Sequence, residues 1–135
     1  MDAGVRQRLV ANNESTEHMD QIEAAAKMAG EWWAERLSSQ HADKRAAFAA
    51  AVAKHCQSVL RDRGICWLAV DYDPQGPMLD AVRDAVDPSC RGMMFSARGI
   101  LPDKHGLDVT PTKLRPKEGY GNWTAELQVP AAGAA

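Results

Sequence analysis

Apolar residues recur at helical spacing through most of the first half of the chain, with a single interruption. Met19, Ile22, Ala25, Ala26, Ala29, Trp32, Trp33 and Leu37 follow an i, i+3, i+4, i+7 pattern. Ser38-Ser39-Gln40 breaks it. A second helix is then predicted over about 42–63, with Phe48, Val52, His55, Cys56, Val59 and Leu60 as its stripe. Two helices with so short a link pack as an antiparallel hairpin. Alanine fills much of the remaining surface, which suits a thin, close pair. Gly30 costs the first helix about 1 kcal/mol against alanine, so its place there points to another element approaching closely. Gly64 follows Arg61 and Arg63 and is placed as a left-handed stop.

Ser15 or Thr16 is the expected cap of the first helix. Residues 1–14 are polar and without a period, and read as a mobile N-terminal arm, with a short helix around Val5 to Val10 as the alternative. Beyond Gly64, Ile65 to Val70 is apolar on both faces and predicts a central, covered strand. Gly76-Pro77 opens a third helix with Met78, Leu79, Val82, Ala85 and Val86 as its stripe, and Asp87-Pro88 ends it. Short strands are expected near 90–96 and 107–110. Over 124–129, Ala125, Leu127 and Val129 alternate with Thr124, Glu126 and Gln128. The expectation is a single α+β domain over 15–129. It has an N-terminal antiparallel helical hairpin, then a small, mainly antiparallel sheet with one further helix. Residues 130–135 read as a disordered tail.

At 135 residues the chain can bury one real core. A net charge of −2 argues against a strongly basic nucleic-acid binder and against an acidic DNA mimic. No apolar run approaches a membrane span, and the N-terminus lacks the apolar core of a signal peptide. Cys56, Cys66 and Cys90 have no CxxC spacing and fit reduced, buried thiols in a cytoplasm. His18, His41, His55 and His105 share no metal-ligand spacing.

Three features carry chemistry. The first is Asp71 and Asp73 at the end of the apolar strand. The pattern resembles the nucleophile motif of haloacid-dehalogenase-type phosphatases. That resemblance implies a Mg²⁺ site, with Asp71 attacking phosphorus and Asp73 as general acid. Position 74 is proline where that family has threonine or valine. The favoured reading is a turn at Asp73-Pro74-Gln75-Gly76, in which aspartate accepts backbone N–H bonds.

The second is charge placement. Residues 65–88 hold five aspartates against Arg83 alone. Residues 89–117 hold Arg91, Arg98, Lys104, Lys113, Arg115 and Lys117 against Asp103 and Asp108. These two blocks either neutralise each other across the fold or orient a partner. The basic stretch lacks the interleaved aromatics on which single-strand binders stack bases, so nucleic acid is not the favoured partner. The third is the Trp32-Trp33 pair. Neighbours on a helix diverge by about 100°, so one is expected inside and the other at the border, open to a partner or a second copy.

Several segments together resemble small phage- and prophage-encoded proteins: GEWWAERL at 30–37, DYDP at 71–74 with MLDA at 78–81, MFSARGILPDKHGLDV at 94–109, and GYG at 119–121. Pro102-x-Lys104 and Gly119-Tyr120-Gly121 are the matching positions, and His105 departs from the pattern. The resemblance implies an accessory protein that works by binding. Its expected partner is a host protein complex of the defence machinery, occluded sterically as CRISPR inhibitors do, without a catalytic group or cofactor. Trp32 or Trp33 and the basic residues of 91–117 would make the contact, with a homodimer also expected. The alternatives are a metal-dependent phosphoesterase or nuclease using Asp71 and Asp73, and a nucleic-acid-binding regulator.

Overall fold

The computed structural model describes residues 3–71, 73–74, 76–90, 100–119 and 123–131. The elements run α1 (Ala3–Glu35), a 3-10 turn (Ser39–Lys44), α2 (Arg45–Arg63), β1 (Cys66–Asp71), β2 (Asp73–Pro74), α3 (Gly76–Ala85), β3 (His105–Val109), β4 (Lys113–Glu118) and β5 (Leu127–Gln128). The strands form one antiparallel sheet in the order β2-β1-β3-β4-β5. The α+β architecture with its N-terminal hairpin is therefore the expected one. The backbone is helical from Ala3, so Ser15 and Thr16 lie inside α1 rather than capping it, and the segment read as an arm is helical.

The hairpin closes where the glycine allows it. Carbon added at Gly30 would run into the carbonyl oxygen of Ala49 and lie 3.3 Å from Ala53 Cβ. Glycine here is what lets α2 reach α1. Ile22, Ala25, Ala26 and Ala29 of α1 and Phe48, Val52, Cys56 and Leu60 of α2 are all buried. Gly64 ends α2 in the left-handed region at φ 78°, its N–H bonded 2.9 Å from Leu60 O. Ser38 Oγ accepts from Gln40 N at the start of the link.

Helices α1, α2 and α3 all lie on one side of the sheet. α1 crosses β3 and β4, while α2 and α3 lie against β1. The alternation along each strand follows from this. Cys66, Leu68 and Val70 of β1, Leu107 and Val109 of β3 and Leu114 of β4 are buried beneath the helices. β1 is central but not covered on both faces, as its apolar run suggested. Trp67 is 42% exposed on the far side, and Ile65, just before the strand, is exposed as well.

The expected strand over 107–110 is β3, beginning at His105. The one expected near 90–96 falls outside the described residues after Cys90. Over 124–129 only Leu127–Gln128 joins the sheet. Val129 is buried, while Ala125 and Leu127 stay exposed. β4, KLRPKE, is a strand that alternation did not mark, because it holds four charges and a proline. Pro116 fits because of the direction it faces. Its carbonyl accepts from Thr124 N at 2.9 Å on the β5 side. A strand residue's N and O point the same way, so the missing N–H takes no bond from β3.

Polar contacts tie the layers. Gln21 Nε2 donates to Pro111 O at 2.7 Å and Pro130 O at 3.1 Å, which holds α1 to the β3–β4 turn and to the C-terminal segment. Asp87 Oδ1 accepts from Ser89 N at 3.0 Å and Ser89 Oγ at 2.7 Å, closing the turn after α3. Cys56 and Cys66 are buried and hydrogen-bonded to one another between α2 and β1. That bond and burial push the Cys56 thiol far above its ordinary range, while the same bond lowers that of Cys66. Both lie out of reach of solvent, as does Cys90.

Substituting Gly30→Ala tests the close approach. Helix propensity alone would stabilise the variant by about 1 kcal/mol. Overpacking against Ala49 is expected to win and to destabilise it by about 1–3 kcal/mol in urea denaturation. A variant more stable than wild type would show that the helices do not meet there.

Candidate binding surface

The helix-free face of the sheet is built from alternate residues of β1, β3 and β4. Trp67 stands opposite Asp108, and Ala69 opposite Gly106. Asp108 stands opposite Arg115, and Gly106 opposite Lys117. Cross-strand partners share a face, so Trp67, Ala69, Gly106, Asp108, Arg115 and Lys117 all point away from the helices. Lys113 continues the row, two residues from Arg115. Trp123 reaches the same face through its bridge to Lys117.

Trp67 and Trp123, exposed by 42% and 47%, meet there with ring centroids 6.0 Å apart at 57°. Glycine at 106 is what seats Trp67. A side-chain carbon there would lie 2.8 Å from Trp67 Cζ2 and closer still to Cη2. The indole thus covers the strand position glycine leaves bare. Arg115 stacks its guanidinium 4.6 Å from the Trp123 ring centre, and Lys117 Nζ stands 5.9 Å from it. Glu126 lies 3.7 Å from Lys113 Nζ and 3.5 Å from Arg115 Nε. Among the described residues Lys117 makes no ion pair. Beside Trp67 a hollow of about 230 Å³ opens over Ala69 and Gly106, rimmed by Asp71, Lys104, His105 and Lys117.

The residues singled out in the sequence are dispersed. Trp32 and Trp33 are both in the core, 6% and 0% exposed, in an edge-to-face contact of 4.9 Å. The expectation that one of them would meet a partner is corrected. Its reasoning assumed a helix with one covered side, but α1 packs against α2 along one side and against β3 and β4 along another, so residues about 100° apart on it are covered by different neighbours. Trp32 faces His105 at 6.5 Å and carries the Arg36 guanidinium 3.5 Å from its ring centre. Lys113, Arg115 and Lys117 line up on the helix-free face, whereas Lys104 is ion-paired to Asp71 across the turn before β3. Arg91 and Arg98 lie outside the described residues.

Asp71 and Asp73 stand opposite one another where β1 reverses into β2. The chain has therefore reversed by Asp73, before the expected turn at 73–76. The Asp71 carboxylate is engaged by Lys104. Among the described residues, no three His, Cys, Asp or Glu side chains gather at metal-ligand range, and no helix is long and apolar enough to cross a membrane. Sequence reasoning missed Trp67 and Trp123 as a pair. The available signal was Trp67 in an alternating strand, with Gly106 and the Lys-x-Arg-x-Lys row at period two.

On the opposite side of β4, Glu118 is paired with Arg36, the residue after α1. The hydrogen bond from Arg36 holds the Glu118 carboxyl below its ordinary value of 4.5, outweighing the opposing effect of burial, with lesser help from the charges of Arg36 and His105. Arg36 also donates to Trp32 O at 2.8 Å, so one guanidinium joins the α1 terminus, a core tryptophan and β4.

No family model, curated protein or solved structure matches the chain.

The two tryptophan pairs are expected to separate by stability. Trp32→Ala and Trp33→Ala should each cost about 3–5 kcal/mol in chemical denaturation. Trp67→Ala and Trp123→Ala should cost about 1 kcal/mol or less; equal losses in all four would place the exposed pair in the core. The Glu118 pair gives a pH signature. A carboxyl whose folded pKa is depressed adds stability above its unfolded value, and that stability is lost as pH falls through the folded value. Wild type should therefore exceed Glu118→Gln by less than about 1 kcal/mol at neutral pH, the pair being part exposed. Thermal melts should converge below 4.5; a gap that persists or widens in acid would contradict the pairing.

Proposed function

We propose that the protein is a binding module of the phage-accessory type whose working surface is the helix-free face of the sheet. It would act by covering a surface of a host defence complex. The observation that carries the reading is the Trp67–Trp123 pair, exposed on β1 and at the bridge to β4, beside Arg115 and Lys117. Exposed tryptophan next to arginine is the composition of interface hot spots, and a sheet side chain is already ordered before a partner arrives. Occlusion asks only for a shaped surface.

The metal-dependent reading of Asp71 and Asp73 asks for carboxylates open to a cation, and Lys104 holds the first of them. A nucleic-acid-binding role has a specific observation in its favour, since the aromatics that the basic stretch lacks in sequence stand beside it on the sheet face.

Affinity capture from nuclease-treated bacterial lysate tests the reading. Tagged wild type should retain a host complex that Trp67→Ala and Trp123→Ala lose, while Lys44→Ala, far from the sheet face in sequence and fold, retains it. Retention by both tryptophan variants, or no partner with wild type, would count against the sheet face as the working surface.

A further inference from the structure

We propose that Cys56 and Cys66 form an oxidation site: hydrogen peroxide entering a hollow beside β1 oxidises Cys66, and Cys56 closes the product as an intramolecular disulfide. The thiol pair lies on the helix side of the sheet, and the proposal does not depend on the reading of the exposed face.

The fold brings the two thiols together. They are ten positions apart in sequence. Gly64, left-handed at φ 78°, turns the chain between them, and α2 packs against β1. Cys56 belongs to the buried stripe of α2, with Val52 and Leu60. Cys66 belongs to the helix-facing row of β1, with Leu68 and Val70. The two side chains meet in a hydrogen bond that Cys56 donates. A disulfide forms only between cysteines whose side chains converge across a short gap, and these two already converge.

Burial decides which oxidant can reach them. Cys66 is only 2% exposed. It nevertheless forms part of the wall of a hollow of about 500 Å³, with His55, Val59, Arg63, Ile65 and Asp108 around it. Peroxide is little larger than water, whereas an aromatic thiol reagent is far larger. The hollow therefore admits the first and excludes the second.

The hydrogen bond divides the roles. A thiolate, rather than a thiol, is the nucleophile. The bond from Cys56 lowers the pKa of the Cys66 thiol, against the opposing effects of burial and the charge of Asp108. The same bond, with burial, keeps Cys56 protonated. The Cys66 sulfur attacks one peroxide oxygen and the O–O bond breaks. The released hydroxide takes the Cys66 proton and leaves as water, and Cys66 becomes a sulfenic acid. The Cys56 sulfur then attacks the Cys66 sulfur. The S–O bond breaks, and its hydroxyl leaves with the Cys56 proton as a second water. The two thiols lose two electrons, and one peroxide is reduced to two waters.

The test is mass spectrometry of the folded protein after treatment with hydrogen peroxide, with remaining thiols blocked by N-ethylmaleimide in urea. Wild type should lose two hydrogens and yield a linked Cys56–Cys66 peptide that dithiothreitol releases. Cys90 should stay open to blocking. The oxidised form should melt about 5 °C above the reduced one, because the bond closes a loop of the unfolded chain. Cys56→Ser should gain oxygen on Cys66 and form no disulfide, while Cys66→Ser should leave Cys56 a thiol. Dithiobis-nitrobenzoate should leave both thiols of folded wild type untouched over the same time. Melting curves confirm that each serine variant is folded, and the wild-type peptide map decides the question where one is not. Intact thiols in peroxide-treated wild type, a link that includes Cys90, oxidation only after unfolding in urea, an oxidised form that melts lower than the reduced one, or equally fast reaction with the bulky reagent would each overturn the proposal.

Discussion

The closeness of α1 to α2 at Gly30 is the constraint on which the rest of the structure depends. Backbone meets backbone there, with Ala49 against a residue that has no side chain. A helix pair that thin can lie over the sheet as one layer and still bury both sides of α1. Trp32 and Trp33 are then absorbed into the core from different directions. Arg36 fastens the end of α1 to Glu118 of β4, and Gln21 fastens its middle to the β3–β4 turn. Among the described residues, every helix ends up on one side. The other face of the sheet therefore has to be accounted for by what it carries, and it carries tryptophan.

A bare antiparallel sheet face is ordinarily polar. This one is mixed in an ordered way. Its row on β4 is basic, its centre over β3 is glycine and aspartate, and its row on β1 is aromatic and small. Among the described residues the charge blocks of the sequence are partly paired with one another and partly within themselves. Asp71 takes Lys104, and Glu126 is shared by Lys113 and Arg115. Lys117 remains beside the exposed rings. Such a surface costs solubility without adding to the core, which makes it more informative than any buried position in the chain.

The helices were legible because their signals are local and redundant. The stripe from Ile22 to Leu37, the glycine stop at Gly64 and the Gly76-Pro77 opening each depend on neighbours in sequence, and the chain obeys them. Gly30 announced a close approach because its presence is otherwise unfavourable. The sheet was harder. Lys113–Glu118 pairs with β3 through backbone, and its charges and Pro116 conceal the alternation that marks a half-buried strand. Ile65 and Trp67 gave β1 the look of a fully covered strand because an apolar residue facing solvent reads the same as one facing a second layer. The candidate site was illegible for a related reason. Trp67 and Trp123 are separated by most of the second half of the chain, and only the register of β1, β3 and β4 brings them to one face with Arg115 and Lys117.

The central claim is that this chain buries Trp32 and Trp33 under its helices and leaves Trp67 and Trp123 exposed on the other side of the sheet. The four indole N–H resonances in a proton–nitrogen NMR spectrum, recorded with and without a soluble nitroxide, test it most directly. Those of Trp67 and Trp123 should broaden strongly while those of Trp32 and Trp33 stay sharp. Broadening of the Trp32 and Trp33 signals, or protection of the other two, would contradict it.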